Sequence, residues 1–420
     1  MADDNGIDRS AEIHRPSATH RASAHHRVVV VGGGNAGLSV AGRLKRSGVN
    51  DVVVIEPRTH HLYQPIFSHV AGGTAPASMA RRPQDQVMPK GVGWIRDSVV
   101  DIVPDVNTVT LASGREVTYD QLIVCPGIQH DWDAVPGLSA AIASPSVASN
   151  YEFPLAQKAS KLLKDVRRGT VIFTQPAGPA SFAGAGQKPM YLACDYWRAT
   201  GRLNDIRVVL VVPTRTIFGI PQIDRELERK IAEYGIEVRY SSELVEVDAE
   251  KKTVVIGRTD TAATDELSYD VLHVEPPQSA PDWLKATTLA AEGDAGGFVE
   301  VDPETLQHAR FASVWALGDA AATTNDKSGG ALRKQTLVVA KNISAVLTGR
   351  EPHAVYDGYS VAPFTVSRGT VVFAEFDDEY QQKPTIPFWK GLARERRLTW
   401  VFDRHILPWV YWHMILKGRA

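Results

Sequence analysis

Short unbroken apolar runs, each closed by glycine or an acid, alternate along the chain with stretches whose apolar residues recur every three or four positions. That alternation predicts buried strands followed by helices. The run Arg27-Val28-Val29-Val30-Val31 predicts a buried strand, and it opens directly on Gly32-Gly33-Gly34-Asn35-Ala36-Gly37 and a helical pattern at Leu38, Ala41 and Leu44. A second strand, Asp51-Val52-Val53-Val54-Ile55, ends in Glu56. A lone GxGxxG is weak evidence, but here a strand precedes it, a helix follows it and an acid stands about 20 residues on. Gly32 permits the tight turn, Gly34 lets backbone amides approach a pyrophosphate, and Gly37 lets helix and strand pack closely. The helix N-terminus adds partial positive charge for phosphates, and Glu56 can accept hydrogen bonds from a ribose diol. This is a dinucleotide site by its local chemistry.

Between residues 92 and 128 the pattern changes to short strands and turns, with Ser113-Gly114-Arg115 as a hairpin turn and Leu122-Ile123-Val124-Cys125-Pro126-Gly127 as another buried strand. Much later, Val314-Trp315-Ala316-Leu317-Gly318-Asp319 repeats a strand ending in Gly-Asp, followed by a helix from about Ala331 to Leu347. The first domain is thus expected to be discontinuous, over 27–150 and 296–350. The insertion, 151–295, alternates strand and helix again. After its first strand, Thr170-Val171-Ile172-Phe173-Thr174, a glycine fingerprint should stand if it held a second dinucleotide. The chain instead reads Gln175-Pro176-Ala177-Gly178-Pro179-Ala180-Ser181-Phe182. Two prolines remove amide donors and a phenylalanine adds bulk, so NAD(P)H is not expected as a partner. The predicted class is α/β, with two Rossmann-like domains.

Composition narrows the field. The 420 residues carry 46 Lys+Arg against 48 Asp+Glu, a formal charge of −2, with 44% hydrophobic residues. Such a chain buries a sizeable core, and its balance argues against a dedicated nucleic-acid binder. Two cysteines, Cys125 and Cys194, suit a reducing compartment rather than a disulfide framework. The longest apolar run, Ile406 to Leu416, is too short to span a bilayer and holds Pro408 and His413. Residues 1–26 have scarcely an aliphatic side chain and are expected to form a flexible tail. Asp3 and Asp4 speak against a transit peptide, and the lack of an apolar stretch against a signal peptide, so a cytoplasmic location is expected.

The segment 351–420 shifts in character. Trp389, Trp400, Trp409 and Trp412 lie beside Lys390, Arg394, Arg396, Arg397, Arg404, Lys417 and Arg419. Rings at headgroup level with cations against anionic lipid suit a membrane surface, on the inner face of the membrane. A packed helix pair or a homodimer surface is the alternative.

Several strings go further. His60-His61-Leu62-Tyr63-Gln64-Pro65-Ile66-Phe67, Gly127-Ile128-Gln129, Ala183-Gly184-Ala185-Gly186-Gln187-Lys188 with Met190-Tyr191-Leu192, Glu304-Thr305-Leu306-Gln307-His308, Tyr356-Asp357-Gly358-Tyr359 and Trp409-Val410-Tyr411-Trp412 resemble sulfide:quinone oxidoreductase. The resemblance is greatest to the form of mitochondria and some bacteria, and covers essentially Arg27 to Gly418. It implies FAD as cofactor, attachment to one membrane face through the C-terminal helices, and quinone entering from the lipid. The family's FAD contacts fall on positions matching Gly34, Asn35, Ala36, Gly37, Glu56, Gln64, Val99, Asp319 and Gly329, Gly330, Ala331, Leu332. Asp319 after Gly318, at a strand end beside a helix start, can also bond a ribityl hydroxyl. Lys334 is either a cation near the isoalloxazine or a solvated helix residue.

The departure concerns sulfur. The resemblance implies two redox cysteines on the flavin's substrate face, at positions where this chain has Phe182 and Ala362. Cys125 and Cys194 do not replace them by position and read as small core residues. Three readings follow: a flavin-only dehydrogenase of a small organic substrate, with Phe182 lining and Ala362 enlarging the vacated pocket; direct reaction of sulfide or a persulfide at the flavin; or a non-catalytic flavin-binding sensor or scaffold. Glu152 and Lys188 match places near the flavin's active face, where a carboxylate could take a proton and a lysine could hold the reduced flavin's anion. His60 and His61 read as packing of the FAD loop rather than metal ligands, and no metal is expected.

Overall fold

The computed structural model describes residues 24–178, 184–385 and 393–420. Its first sheet is built from the predicted apolar runs. Ala24–Val31 lies parallel to Val52–Ile55 on one side and to Glu116–Val124 on the other. Gly93–Ile95 extends the sheet in parallel beyond Val52–Ile55. Thr108–Leu111 and Val99–Val103 complete it by antiparallel pairing. Val314–Ala316, reached after the insertion, returns to pair in parallel with Leu122–Val124.

The second sheet is wholly parallel, in the order Val147–Ala148, Val271–Val274, Gly169–Thr174, Ile206–Val211, Glu237–Arg239. Its central strands are apolar on both faces because helices Gln187–Ala199 and Pro221–Tyr234 and the meander of 242–268 cover it. Its edge strand begins before residue 151, so the sheet does not respect the expected boundary there.

Two further differences from the sequence reading have plain causes. The first strand starts at Ala24, because Ala24, His25 and His26 pair with Val117, Thr118 and Tyr119, and His26 also bonds the Asp51 carboxylate at 2.9 Å. The expected tail therefore loses those residues, and the rest of it lies outside the described residues. A hairpin, Ser360–Ser367 with Thr370–Phe376, occupies a region read only as helical tail. Ala362, Phe364 and Val366, two apart along the strand, share one face and fill the second core, while Val361 and Pro363 between them are partly exposed.

The C-terminal segment packs back onto the first domain. Tyr411, Trp412 and Leu416 are buried in its core, and a Cβ on Gly42 would come within 2.8 Å of the Lys417 backbone. Arg82 sits 4.5 Å above the Trp412 ring. Arg404 is buried, donating to the Thr74 carbonyl at 3.0 and 3.2 Å, and Lys417 donates to the carbonyls of Gln86 and Met88. Trp412 and Arg404 are thus internal rather than lipid-facing, and the partly exposed Lys417 is tied to carbonyls of the first domain. What faces outward is an apolar stripe: Leu398, Val401, Phe402, Ile406 and Trp409. Trp389 and Lys390 lie outside the described residues. Among the described residues no helix is long and apolar enough to cross a membrane.

Candidate functional site

The first turn has the shape its glycines demand. Gly32 adopts φ 102°, and a side chain there would strike the Cys125 carbonyl. A side chain on Gly37 would collide with the Gly32 carbonyl, so only glycine lets helix Asn35–Arg46 sit this close to the strand. At Gly34, by contrast, an added Cβ meets nothing within 4 Å. The helix N-terminus therefore opens onto free space, where its amides are available to a pyrophosphate. Glu56 closes one side: its carboxylate accepts from the backbone N–H of Gly33 and of Arg58, each at 2.8 Å.

The turn is braced from behind. Gln84 donates to the Gly33 carbonyl at 2.9 Å, and His61 Nδ1 lies 3.1 Å from the same oxygen. If Nδ1 carries the proton, Nε2 accepts from the Tyr411 hydroxyl at 2.6 Å. Burial pushes His61 down to about 4, so the ring is neutral, as that bonding requires.

A second helix start faces the first. Ser328 caps Gly329–Val346 by accepting from the Ala331 N–H, and the only atom near an added Cβ on Gly329 is Asn35 Nδ2, at 4.0 Å. Gly318, at φ 70°, donates to Gln335 and lies against Leu332 and Ala36. Gly330 is pressed against Val361 of the hairpin. Gly32, Gly34, Asn35, Ala36, Gly37, Gly318, Gly329, Gly330, Ala331 and Leu332 thus converge on two facing N-termini, with half-buried Asp319 beside them. Gln64 is exposed at the head of Gln64–Ile66, and Val99 is buried at the start of its strand.

The remaining expected residues each have partners within the protein. Lys334 pairs with the Asp357 carboxylate at 2.9 and 3.1 Å and lies 4.1 Å above the Tyr359 ring, so its cation is already engaged. Glu152, at the start of Phe153–Asp165, accepts from the Trp132 indole at 3.0 Å and lies 3.4 Å from His130 Nδ1. Ala362 is fully buried in the second core, so no solvent reaches the space expected there. Phe182 lies outside the described residues. Lys188 is buried, and loss of hydration pushes its ammonium down to about 8 against the pull of Asp403. Asp403 bonds His69 at 3.2 Å, so Lys188 belongs to a buried charged cluster beneath the apolar stripe.

The sequence reading missed Glu275. It follows Val271–Val274 directly, as Glu56 follows Val52–Ile55, and that shared pattern was the available signal. It is 1% exposed, with an oxygen 2.7 Å from where a Gly186 Cβ would be. Burial pushes its carboxyl up to about 8, with Asp326 adding to the shift and Tyr151 and Gln175 opposing it.

Both cysteines are free and buried, Cys125 in the first core and Cys194 in the second. Burial pushes both thiols well above their ordinary range.

A glycine cradle between two helix N-termini, walled by a second parallel sheet, defines a flavoprotein built from two dinucleotide-type domains. The chain belongs to the pyridine nucleotide-disulphide oxidoreductase family, whose model matches residues 26–343, and within it to the sulfide:quinone oxidoreductases. It is 35% identical to the mitochondrial sulfide:quinone oxidoreductase of Mus musculus, over 93% of this chain and 86% of that one. It is 26% identical to the type II NADH:quinone oxidoreductase Ndh of Mycobacterium tuberculosis, over 82% and 79%. The fold superposes on the sulfide:quinone oxidoreductase of Aquifex aeolicus with a TM-score of 0.80 at 18% identity, covering 94% of this chain and 92% of that one. The protein is a FAD-dependent oxidoreductase, and the open space at Gly34 fits that cofactor.

Proposed function

We propose that this oxidoreductase is a flavin-only dehydrogenase that oxidises a small organic substrate and passes the electrons to quinone. The carrying observation is the placement of its two cysteines: buried in separate cores, with thiols held protonated, they offer thiol–disulfide exchange neither nucleophile nor leaving group. Bound FAD supplies the hydride acceptor and the two-electron store. The chain's own part is to hold it, with Gly34 to Gly37 receiving the pyrophosphate, Glu56 the ribose and Asp319 a ribityl hydroxyl. The start of Gly329–Val346 presents partial positive charge where negative charge develops on reduction. Lys188, pushed down to about 8, can give or take a proton under working conditions. Glu152 holds His130 and Trp132 in place.

Quinone as acceptor is supported by the names of both relatives. The exposed stripe Leu398, Val401, Phe402, Ile406 and Trp409 suits docking on the inner face of a membrane. NADH is disfavoured because the carboxyl of Glu275 faces Gly186, at the N-terminus where the second domain would receive a pyrophosphate. The 35% identity to a sulfide:quinone oxidoreductase favours, as second reading, sulfide or a persulfide reacting directly at the flavin.

Anaerobic bleaching of the flavin by sulfide, thiols, NADH, NADPH and organic hydride donors, followed by reoxidation with decylubiquinone, tests these readings. Bleaching by an organic donor and reoxidation by the quinone is the expected result. Rapid bleaching by sulfide alone selects the second reading, and rapid bleaching by NADH overturns both.

A further inference from the structure

Helices Asn35–Arg46 and Gly329–Val346 pack side by side, joined where Arg43 donates to the Thr336 hydroxyl at 3.2 Å. Beyond the second helix the chain turns back along it, held there by buried Asn342. The side-chain oxygen of Asn342 accepts from the N–H of His353 and of Ala354 at 2.9 and 2.7 Å, and its amide donates to the Ala354 carbonyl at 2.9 Å. These three stretches line a groove of about 650 Å³, a size that suits a small-molecule site. The C-terminal segment that bears the outward apolar stripe ends here, with Gly418 in the wall.

The charge of the groove is one-sided. Arg43, Arg46, Lys341, Arg350 and His353 line it, and no acid among the described residues does, in a chain whose formal charge is −2. Arg46, Lys341 and Arg350 are exposed, and none of them forms an ion pair among the described residues. Arg43 is engaged with Thr336 and the Ala420 carbonyl; burial, then the like charge of Arg333, holds its guanidinium below the ordinary value. Cations gathered without counter-charges attract an anion. Leu337, Ala340 and Ala354 make the lining apolar between them, and exposed Val355 follows. The two hydroxyls of the lining, Ser47 and Ser344, lie 3.1 Å apart and already bond the Leu44 and Ala340 carbonyls. No Phe, Tyr or Trp lines the groove to stack on a base. A nucleotide would find charge there but neither a stacking surface nor free hydroxyls for its sugar. A phosphate carrying a hydrocarbon chain matches both the cations and the apolar lining.

We propose that this groove is a headgroup site for an anionic phospholipid, with the phosphate among Arg46, Lys341 and Arg350 and the first carbons of the chains against Leu337, Ala340 and Ala354. The site does not depend on which donor the flavin oxidises. It selects lipids by headgroup, which an apolar stripe cannot do.

The test uses FAD-loaded, full-length protein and dihexanoylphosphatidylglycerol, kept dilute enough to stay monomeric, with dihexanoylphosphatidylcholine and inorganic phosphate as comparisons, all read by titration calorimetry. One molecule of the anionic lipid should bind per chain, and less tightly as salt rises. The combined variant Arg46→Gln, Lys341→Gln and Arg350→Gln should bind it about a hundredfold more weakly. The combined variant Lys161→Gln, Arg167→Gln and Arg168→Gln removes as many exposed cations from the second domain and should match the wild type. Sedimentation with vesicles of mixed phosphatidylglycerol and phosphatidylcholine should rank the three proteins in the same order. Equal binding of the phosphatidylcholine overturns the proposal. So does equal affinity for inorganic phosphate, which would make the groove a site for a free anion. Unaltered binding in the groove variant, an equal loss in the second-domain variant, or no binding by the wild type overturns it as well.

Discussion

After Ala24–Val31 the chain reaches its helix in three residues, Gly32 to Gly34; after Gly169–Thr174 it takes twelve, Gln175 to Gly186, before Gln187–Ala199 begins. The two parallel frameworks are alike, but their turns hold different things. In the first, the helix start opens onto free space at Gly34 and its partial charge is available to an outside anion. In the second, the chain serves its own helix start. Gln187 donates to Gln175 at 2.9 Å and to the Ile217 carbonyl at 3.1 Å, and the Glu275 carboxyl faces Gly186. A Rossmann-like sheet therefore supplies a place for a dinucleotide, and the turn decides whether the place is vacant or filled from within.

The strongest way to break this comparison is a side chain in each turn. Gly34→Val should yield protein without visible flavin, because its methyl groups fill the phosphate cradle, while Ala177→Val, on an exposed position of the second turn, should stay yellow. A yellow Gly34→Val protein would remove the basis for the first assignment.

Acid sharpens it next. His61 braces only the first turn, and its folded value of about 4 lies below the ordinary 6.5. The unfolded chain therefore takes up this proton first as pH falls, so the contribution is complete above pH 6.5 and lost on descending towards pH 4. Its size is about 3 kcal/mol. Thermal melts of wild type and His61→Gln over that range should converge at the acid end; parallel curves would remove His61 from the account.

On the membrane side, Ile406→Glu should weaken binding to anionic liposomes roughly tenfold by sedimentation, the cost of one apolar side chain left in water. An unchanged partition would mean the stripe faces something else. The smallest effect is expected at sulfur. Cys125 backs the first turn and Cys194 lies in the helix after the second, and Cys→Ala at either should leave the rate of flavin reduction unaltered. Loss of activity in either variant would restore a thiol mechanism.

The cradle was legible because its requirements are local: each glycine's role follows from backbone within a few residues of it. Strand ends were legible for the same reason, which makes Glu275 instructive. Its position matched that of Glu56, but its burial depends on Tyr151, Gln175 and Asp326 arriving from three distant parts of the chain. Lys334 shows the same limit, since its pairing with Asp357, 23 residues away, depends on tertiary packing. In the C-terminal segment composition was ambiguous in principle. Aromatic rings beside cations suit a lipid headgroup layer and also a protein core, and only tertiary packing shows that Arg404 turns inward to Thr74 while Trp409 turns outward.

The brace on the first turn ties together segments 350 residues apart in sequence. Gly33 is steadied through His61, and His61 through the Tyr411 hydroxyl, while the Lys417 backbone fits against Gly42. A copy clipped ahead of Tyr411 would lose that support, and its paler colour would betray a looser grip on the coenzyme before any fault in its chemistry appeared.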